Sequence, residues 1–84
     1  MKFKLLRQLK LNLFMRPITA KKLIKILIVN GFILSRQKGS HAIFKHSNSN
    51  IIVPVPLHGK SKPIHIGTLM AIIKQSKISK EKFY

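Results

Sequence analysis

The spacing of apolar residues changes twice along this chain, and those changes restrict the folds that it can adopt. Over residues 20–28, apolar side chains recur at positions that form one stripe of an amphipathic helix. Between residues 32 and 53 they occur in short runs bounded by Gly, Ser and Asn, as in half-buried strands. Helical spacing returns over residues 69–73. The pattern therefore predicts a helix, then strands, then a second helix.

The ends of the helices carry capping residues. Thr19 is a favourable N-cap and Asn30-Gly31 a favourable C-terminal stop, which predicts a first helix over about residues 20–30. Thr68 is predicted to cap the second helix, and Ser79 is predicted to cap a last turn.

The strands are separated by turn residues. The first two, residues 32–38 and 41–46, are predicted to form a hairpin around a tight turn. A third strand begins with residues 51–53, and Pro54 and Pro56 restrict it to a sheet edge because they lack a backbone N–H. The elements together predict an α+β fold, α-β-β-β-α, with two helices on one face of a three-stranded antiparallel sheet and the other face open to solvent.

The chain is strongly basic. Seventeen lysines and arginines and one acidic side chain, Glu81, give a net charge of +16. Such an excess is typical of proteins that neutralise nucleic-acid phosphates, so we expect a nucleic-acid partner. A solvated basic surface, an anionic membrane or an acidic protein partner would also account for the charge.

The same composition excludes several kinds of chemistry. One carboxylate side chain cannot provide the clustered acids of a metal-dependent nuclease, and a Ser-His-Asp relay lacks its Asp. The absence of cysteine excludes disulfides, thiolate nucleophiles and zinc fingers, and it fits a reducing cytosol. No apolar run approaches the ~20 residues that span a bilayer, so we expect a cytoplasmic protein without a membrane partner.

Histidine remains as the residue for acid–base chemistry. RNA carries its own nucleophile, the 2′-hydroxyl, so a ribonuclease needs a group that moves a proton and cations that stabilise the charged phosphorane. Histidine ordinarily titrates at about pH 6.5 and can accept and donate protons near neutrality. The four candidates in this chain are His41, His46, His58 and His65.

Strand alternation separates these histidines. If Phe44 enters the core, His41 and Lys45 share the open face of the second strand. His46 then lies on the Phe44 side, which favours a packing or loop position at the end of the sheet. Of the other two histidines, His58 lies in the polar loop of residues 57–63 and His65 follows that loop, and both could contact phosphate.

Residues around the hairpin turn could hold a phosphate. Gly39 and Ser40 provide backbone N–H groups and a hydroxyl where the chain turns, and Arg36 and Lys38 lie just upstream. An ordinary turn followed by a surface histidine would account for the same residues, so the residue chemistry leaves both interpretations open.

Several spaced blocks of the sequence closely resemble the HicA toxin family over about residues 17–83. The blocks are Asn30-Gly31-Phe32, Arg36-Gln37-Lys38-Gly39-Ser40-His41, Phe44-Lys45-His46, Val53-Pro54-Val55, Ile66-Gly67-Thr68-Leu69 and Ile73-Lys74-Gln75. The resemblance implies a double-stranded-RNA-binding-like α-β-β-β-α fold and a ribonuclease that cleaves messenger RNA. It also implies that the essential histidine of the Gly-Ser-His motif is His41.

The resemblance also implies partners. Toxins of this family are held inactive by a HicB-type antitoxin, which covers the active face and can connect the complex to promoter DNA. No cofactor is implied. In the resulting hypothesis RNA crosses the open face, Lys38, Lys45, Lys60 and Lys62 hold phosphates, and His41 transfers a proton.

The N-terminus departs from the family pattern, because such toxins usually begin a few residues before the first helix. We therefore divide the chain into a basic N-terminal extension, residues 1–17, and a HicA-like domain, residues 18–84. We expect Met15 to be the true start; the alternative is that residues 1–14 form a basic extension that helps to bind RNA or the antitoxin. Two other function classes stay open. One is a non-catalytic RNA-binding module of the same fold, and the other is a membrane-surface protein that uses residues 1–18.

Overall fold

The structure is a computed structural model that describes residues 17–57, 59 and 61–84. Its elements are helix α1 (Ala20–Val29), strands β1 (Phe32–Lys38), β2 (His41–His46) and β3 (Ile52–Pro56), helix α2 (Ile66–Ser76) and a short 3-10 helix (Lys80–Phe83). The predicted α-β-β-β-α order is confirmed. The N-terminal extension predicted over residues 1–17 lies outside the described residues except for its last residue. No helix in the described ranges is long and apolar enough to cross a membrane.

Helix α1 begins and ends where its caps predict. The hydroxyl of Thr19 accepts a hydrogen bond from the backbone N–H of Lys22 at 3.2 Å, which satisfies a donor of the first turn. At the other end, the side-chain amide of Asn30 donates to the carbonyl of Ile26 at 2.8 Å. Gly31 follows with φ +92°, a left-handed conformation that ends the helix and turns the chain into β1.

The three strands form an antiparallel sheet in the order β1-β2-β3. Lys38 is paired with His41, so the hairpin loop consists of Gly39 and Ser40, as predicted. Gly39 has φ +58° in the first loop position, which is the position where a type II′ turn requires glycine. β3 is an edge strand, as its two prolines predict.

Helix α2 begins earlier than its predicted cap. The prediction that Thr68 caps the helix is wrong, because the helix already starts at Ile66 and Thr68 lies within it. The N-cap is His65, whose Nδ1 accepts a hydrogen bond from the backbone N–H of Gly67 at 3.2 Å. Ser79 does occupy the N-cap of the 3-10 helix, although its side chain makes no capping hydrogen bond there.

Both helices cover the same face of the sheet and enclose the core between themselves and that face. Thirteen buried apolar residues from every element contribute to it. They are Ile18, Ala20, Leu23, Leu27, Phe32, Ala42, Phe44, Val53, Val55, Leu69, Ile72, Ile73 and Phe83. The opposite face of the sheet carries no helix in the described part of the chain, so it remains open.

Lys77, at the C-terminus of α2, has φ +63°, a conformation that glycine adopts more readily than any L-residue. We expect Lys77→Gly to raise the free energy of unfolding by about 1 kcal/mol and the Tm by roughly 4–8 °C. Urea and thermal unfolding monitored by circular dichroism would measure both values. Lys25→Gly, at an exposed position inside α1, is the control and should lower stability by about 1 kcal/mol. A Lys77→Gly protein no more stable than the wild type would contradict the assigned backbone strain.

Candidate functional site

The central strand β2 presents alternate residues to opposite sides of the sheet. Ala42 and Phe44 are buried in the core, whereas His41 and Lys45 are exposed on the other side. This confirms the alternation predicted for the strand, and it places His41 and Lys45 on the same open face. The intervening residue on that face, Ile43, is half-buried.

A β-bulge in β1 brings two further cations to this face. The register with β2 shifts between Leu34 and Arg36, so Ser35 is the extra residue. Uninterrupted alternation from buried Phe32 would have directed Arg36 and Lys38 toward the helices. The bulge reverses the alternation of side chains between the two faces. Arg36 therefore pairs with Ile43 and Lys38 with His41, and both cations lie on the face of His41.

Arg36 and Lys38 were predicted to belong to the site because they lie just before the hairpin turn, but the bulge was not predicted. The signal was nevertheless present, because strict alternation from Phe32 places two cations in phase with a core residue. A buried cation without a partner is strongly disfavoured. Cations that strict alternation would bury therefore indicate a strand in which the alternation is interrupted, as it is at a bulge.

The third strand completes the surface. Pro56 pairs with His41, Pro54 with Ile43, and Ile52 with Lys45. We use the name open face for the outward residues of all three strands, which are Ile33, Arg36, Lys38, His41, Ile43, Lys45, Ile52, Pro54 and Pro56. It combines an apolar centre with four basic side chains.

The hairpin turn is connected to the loop that follows β3. The backbone N–H of Leu57 donates to the carbonyl of Ser40 at 2.6 Å, which holds the start of this loop beside Gly39-Ser40 and His41. Its far end is held by Ile64, whose N–H donates to the carbonyl of Ile18 at 2.8 Å. The predicted RNA contact Lys62 is exposed in this loop. Lys60 and His58 lie outside the described residues.

Two of the other histidines, His46 and His65, make contacts that stabilise the fold. The ring of His46 packs edge-to-face against Phe32 with centroids 5.0 Å apart, and its Nδ1 accepts a hydrogen bond from Asn48 N–H at 3.1 Å. A methyl group on Gly31 would lie 2.8 Å from His46 Nε2, so that glycine is also needed for space. His65 caps α2 through its Nδ1. Among the described histidines, His41 is the one on the open face.

The electrostatic character of the open face is cationic. The one acidic side chain in the sequence, Glu81, lies in the 3-10 helix. This helix packs through buried Phe83 into the core, which lies against the other face of the sheet. Among the described residues, no three His, Cys, Asp or Glu side chains lie together as a metal site would require. The groups available for chemistry on the open face are therefore an imidazole, two ammonium groups and a guanidinium.

Comparison with protein families matches residues 20–78 to the HicA toxin of bacterial toxin-antitoxin systems. The matched segment spans well over half of the chain and includes both helices and all three strands. The chain belongs to the HicA toxin family. Comparison with curated proteins gave no significant match. As a HicA-family toxin, the protein is a component of a toxin–antitoxin system, and the family implies a HicB-type antitoxin as its partner.

The different surroundings of His46 and His41 predict different effects on stability. His46→Ala removes the contact with Phe32 and should lower the free energy of unfolding by about 1–2 kcal/mol. His41→Ala changes an exposed side chain and should alter it by less than about 0.5 kcal/mol. Urea unfolding of both variants at neutral pH would measure the difference. A large loss of stability in the His41 variant would show that His41 contributes to packing.

Proposed function

We propose that this HicA-family toxin is an endoribonuclease that cleaves messenger RNA without a metal ion, with His41 as its catalytic acid or base. The observation that supports the proposal is the register of the sheet, which pairs His41 with Lys38 on an exposed face that also carries Arg36 and Lys45. Cleavage by messenger RNA interferases blocks translation, which is consistent with a toxin. Promoter DNA would be contacted only indirectly, through the antitoxin complex.

The proposed reaction uses the nucleophile that RNA itself carries. The 2′-oxygen attacks the adjacent phosphorus, the bond from phosphorus to the 5′-oxygen breaks, and the 2′-proton is transferred to a base. A second proton must reach the leaving 5′-oxygen. His41 serves one or both of these transfers, and the products are a 2′,3′-cyclic phosphate, or the 3′-phosphate after its hydrolysis, and a 5′-hydroxyl.

Lys38 is the cation best placed to act beside His41. Directly opposed residues of antiparallel strands have Cα atoms about 4.5–5.5 Å apart, so both side chains can reach one phosphate. A positive charge at this point would stabilise the dianionic phosphorane as it forms. Arg36 lies two residues further along the same strand and can contribute a bidentate phosphate contact.

The remaining cations serve phosphates on either side of the reacting one. Lys45 is four residues from His41 along β2, which corresponds to about 13 Å, too far for both to hold the same phosphate. At the other end, the N–H groups and hydroxyl of Gly39-Ser40, with Lys60 and Lys62 in the following loop, are proposed to bind the RNA backbone. RNA would thus run along β2 and past the hairpin turn.

A second candidate function is a non-catalytic RNA-binding module of the same fold. The observation that favours it is that the exposed cations of the open face can hold phosphates whether or not His41 reacts. Both functions predict RNA binding, and they differ in whether the bound RNA is cleaved.

Cleavage of a defined messenger RNA in EDTA tests the proposal. The wild type should cut, and His41→Ala should lower the rate at least about 100-fold, since acid–base catalysis typically contributes 10²–10⁴. His65→Asn is the matched control, because it removes an exposed imidazole and retains a capping oxygen for α2. It should cleave at the wild-type rate. Cleavage by His41→Ala at that rate would refute the catalytic assignment, and binding without cleavage by the wild type would favour the second candidate.

The salt dependence of RNA binding tests the proposed phosphate contacts. Measured with single-stranded RNA in the His41→Ala background, log Kd should rise with log salt, and the slope should fall by about 0.7 when Lys38 or Lys45 is changed to Ala. Lys25→Ala, on the exposed side of α1, is the control and should leave the slope unchanged. Equal slopes for all of these proteins would show that the RNA does not lie on the open face.

A further inference from the structure

A groove on the helical side of the protein has no part in the proposed reaction. It is a cavity of about 510 Å³ between α2 and the segment that follows it. We call it the C-terminal groove. Its lining combines four apolar residues with three lysines, which we call the rim: the apolar residues are Met70, Ala71, Ile73 and Ile78, and the lysines are Lys74, Lys77 and Lys80.

The C-terminal groove and the catalytic site lie on different sides of the sheet. Helix α2 packs through Leu69, Ile72 and Ile73 against the core, on the sheet face opposite His41. A molecule in the groove would therefore leave the open face accessible.

Lys77, which lines this groove, has an unusual backbone conformation. Lys77 ends α2 in the left-handed conformation, where glycine is the common residue and an L-residue is strained. Strained backbone is enriched at functional sites, which is consistent with a role for the Lys77 side chain. Here the side chain is exposed and lines the groove together with those of Lys74 and Lys80.

We propose that the C-terminal groove binds an acidic amphipathic helix of a partner protein. Apolar side chains of such a helix would cover Met70, Ala71 and Ile78, and its carboxylates would meet the three lysines of the rim. RNA fits less well, because its phosphates would pair with the lysines but no lining residue is aromatic, so bases would find no stacking surface.

Charge also excludes the occupants that this chain itself could provide. Residues 1–16 are rich in lysine and arginine and contain no acidic side chain. A second copy of the chain carries the same net charge of +16. Both would bring cations to a rim that is already cationic, whereas an acidic partner complements it.

The experiment uses the full-length chain and a fluorescein-labelled synthetic peptide, helical by design, with a stripe of leucines flanked by glutamates. Fluorescence anisotropy measures its affinity, and the ¹³C-methyl resonance of Met70 reports where it binds. The control peptide has the same composition in scrambled order, so that its charge is equal but the stripe is lost. We expect the designed peptide to bind at least about tenfold more tightly than the scrambled one and to shift the Met70 resonance.

Charge variants locate the binding further. The triple change Lys74→Glu, Lys77→Glu and Lys80→Glu should weaken peptide binding at least about tenfold. The matched control changes Lys21, Lys22 and Lys25 of α1 to Glu, an equal change in net charge at exposed positions, and should alter the affinity by less than about twofold. Lys77→Gly should weaken binding while stabilising the fold, which separates loss of the contact from loss of structure.

Three results would overturn the proposal. They are equal weakening by the two triple variants, equal binding of the two peptides, and an unshifted Met70 resonance. Single-stranded RNA that shifts Met70 as strongly as the designed peptide would instead assign the groove to RNA. Because the groove variants retain His41 and its neighbours, the triple groove variant should cleave RNA at the same rate as the matched α1 variant, so this test is independent of the proposed ribonuclease activity.

Discussion

The burial of Phe44 in the middle of β2 determines where the other site residues lie. β2 is the central strand, and its hydrogen-bonded register fixes the phase of both neighbours. With Phe44 in the core, His41 and Lys45 must face outward, and a slip of one residue would exchange the two sets. The position of the site is thus a consequence of apolar packing on the opposite face of the same strand.

Local chemistry explains why much of this fold was predictable from sequence. The Thr19 cap, the glycine after α1 and the Gly39-Ser40 turn each depend on residues within a few positions of one another, so their patterns are visible in the chain itself. The alternation of β2 likewise identified the face of His41 and the packing position of His46.

Two features of the fold were not predicted. The position of the bulge at Ser35 is defined by pairing with β2, although the placement of Arg36 and Lys38 in phase with buried Phe32 indicates that the alternation must change within β1. The cap of α2 was missed because an imidazole nitrogen of His65 replaces the usual hydroxyl or carboxylate acceptor. The catalytic role of His41, the RNA contacts and the division of the chain near residue 17 rest on family resemblance and residue chemistry, and they stay predictions.

The positions of Arg36, Lys38 and Lys45 on the open face link binding to folding. Assembly of the sheet brings Lys45 onto the same face as the other two cations, so their mutual repulsion opposes folding of the free protein. An anionic molecule that covers the face relieves this repulsion and binds the folded state alone. At a hundred times its Kd, such a ligand adds about 2.7 kcal/mol to the stability of the fold. We therefore expect the toxin to be less stable when its open face is free than when a ligand covers it.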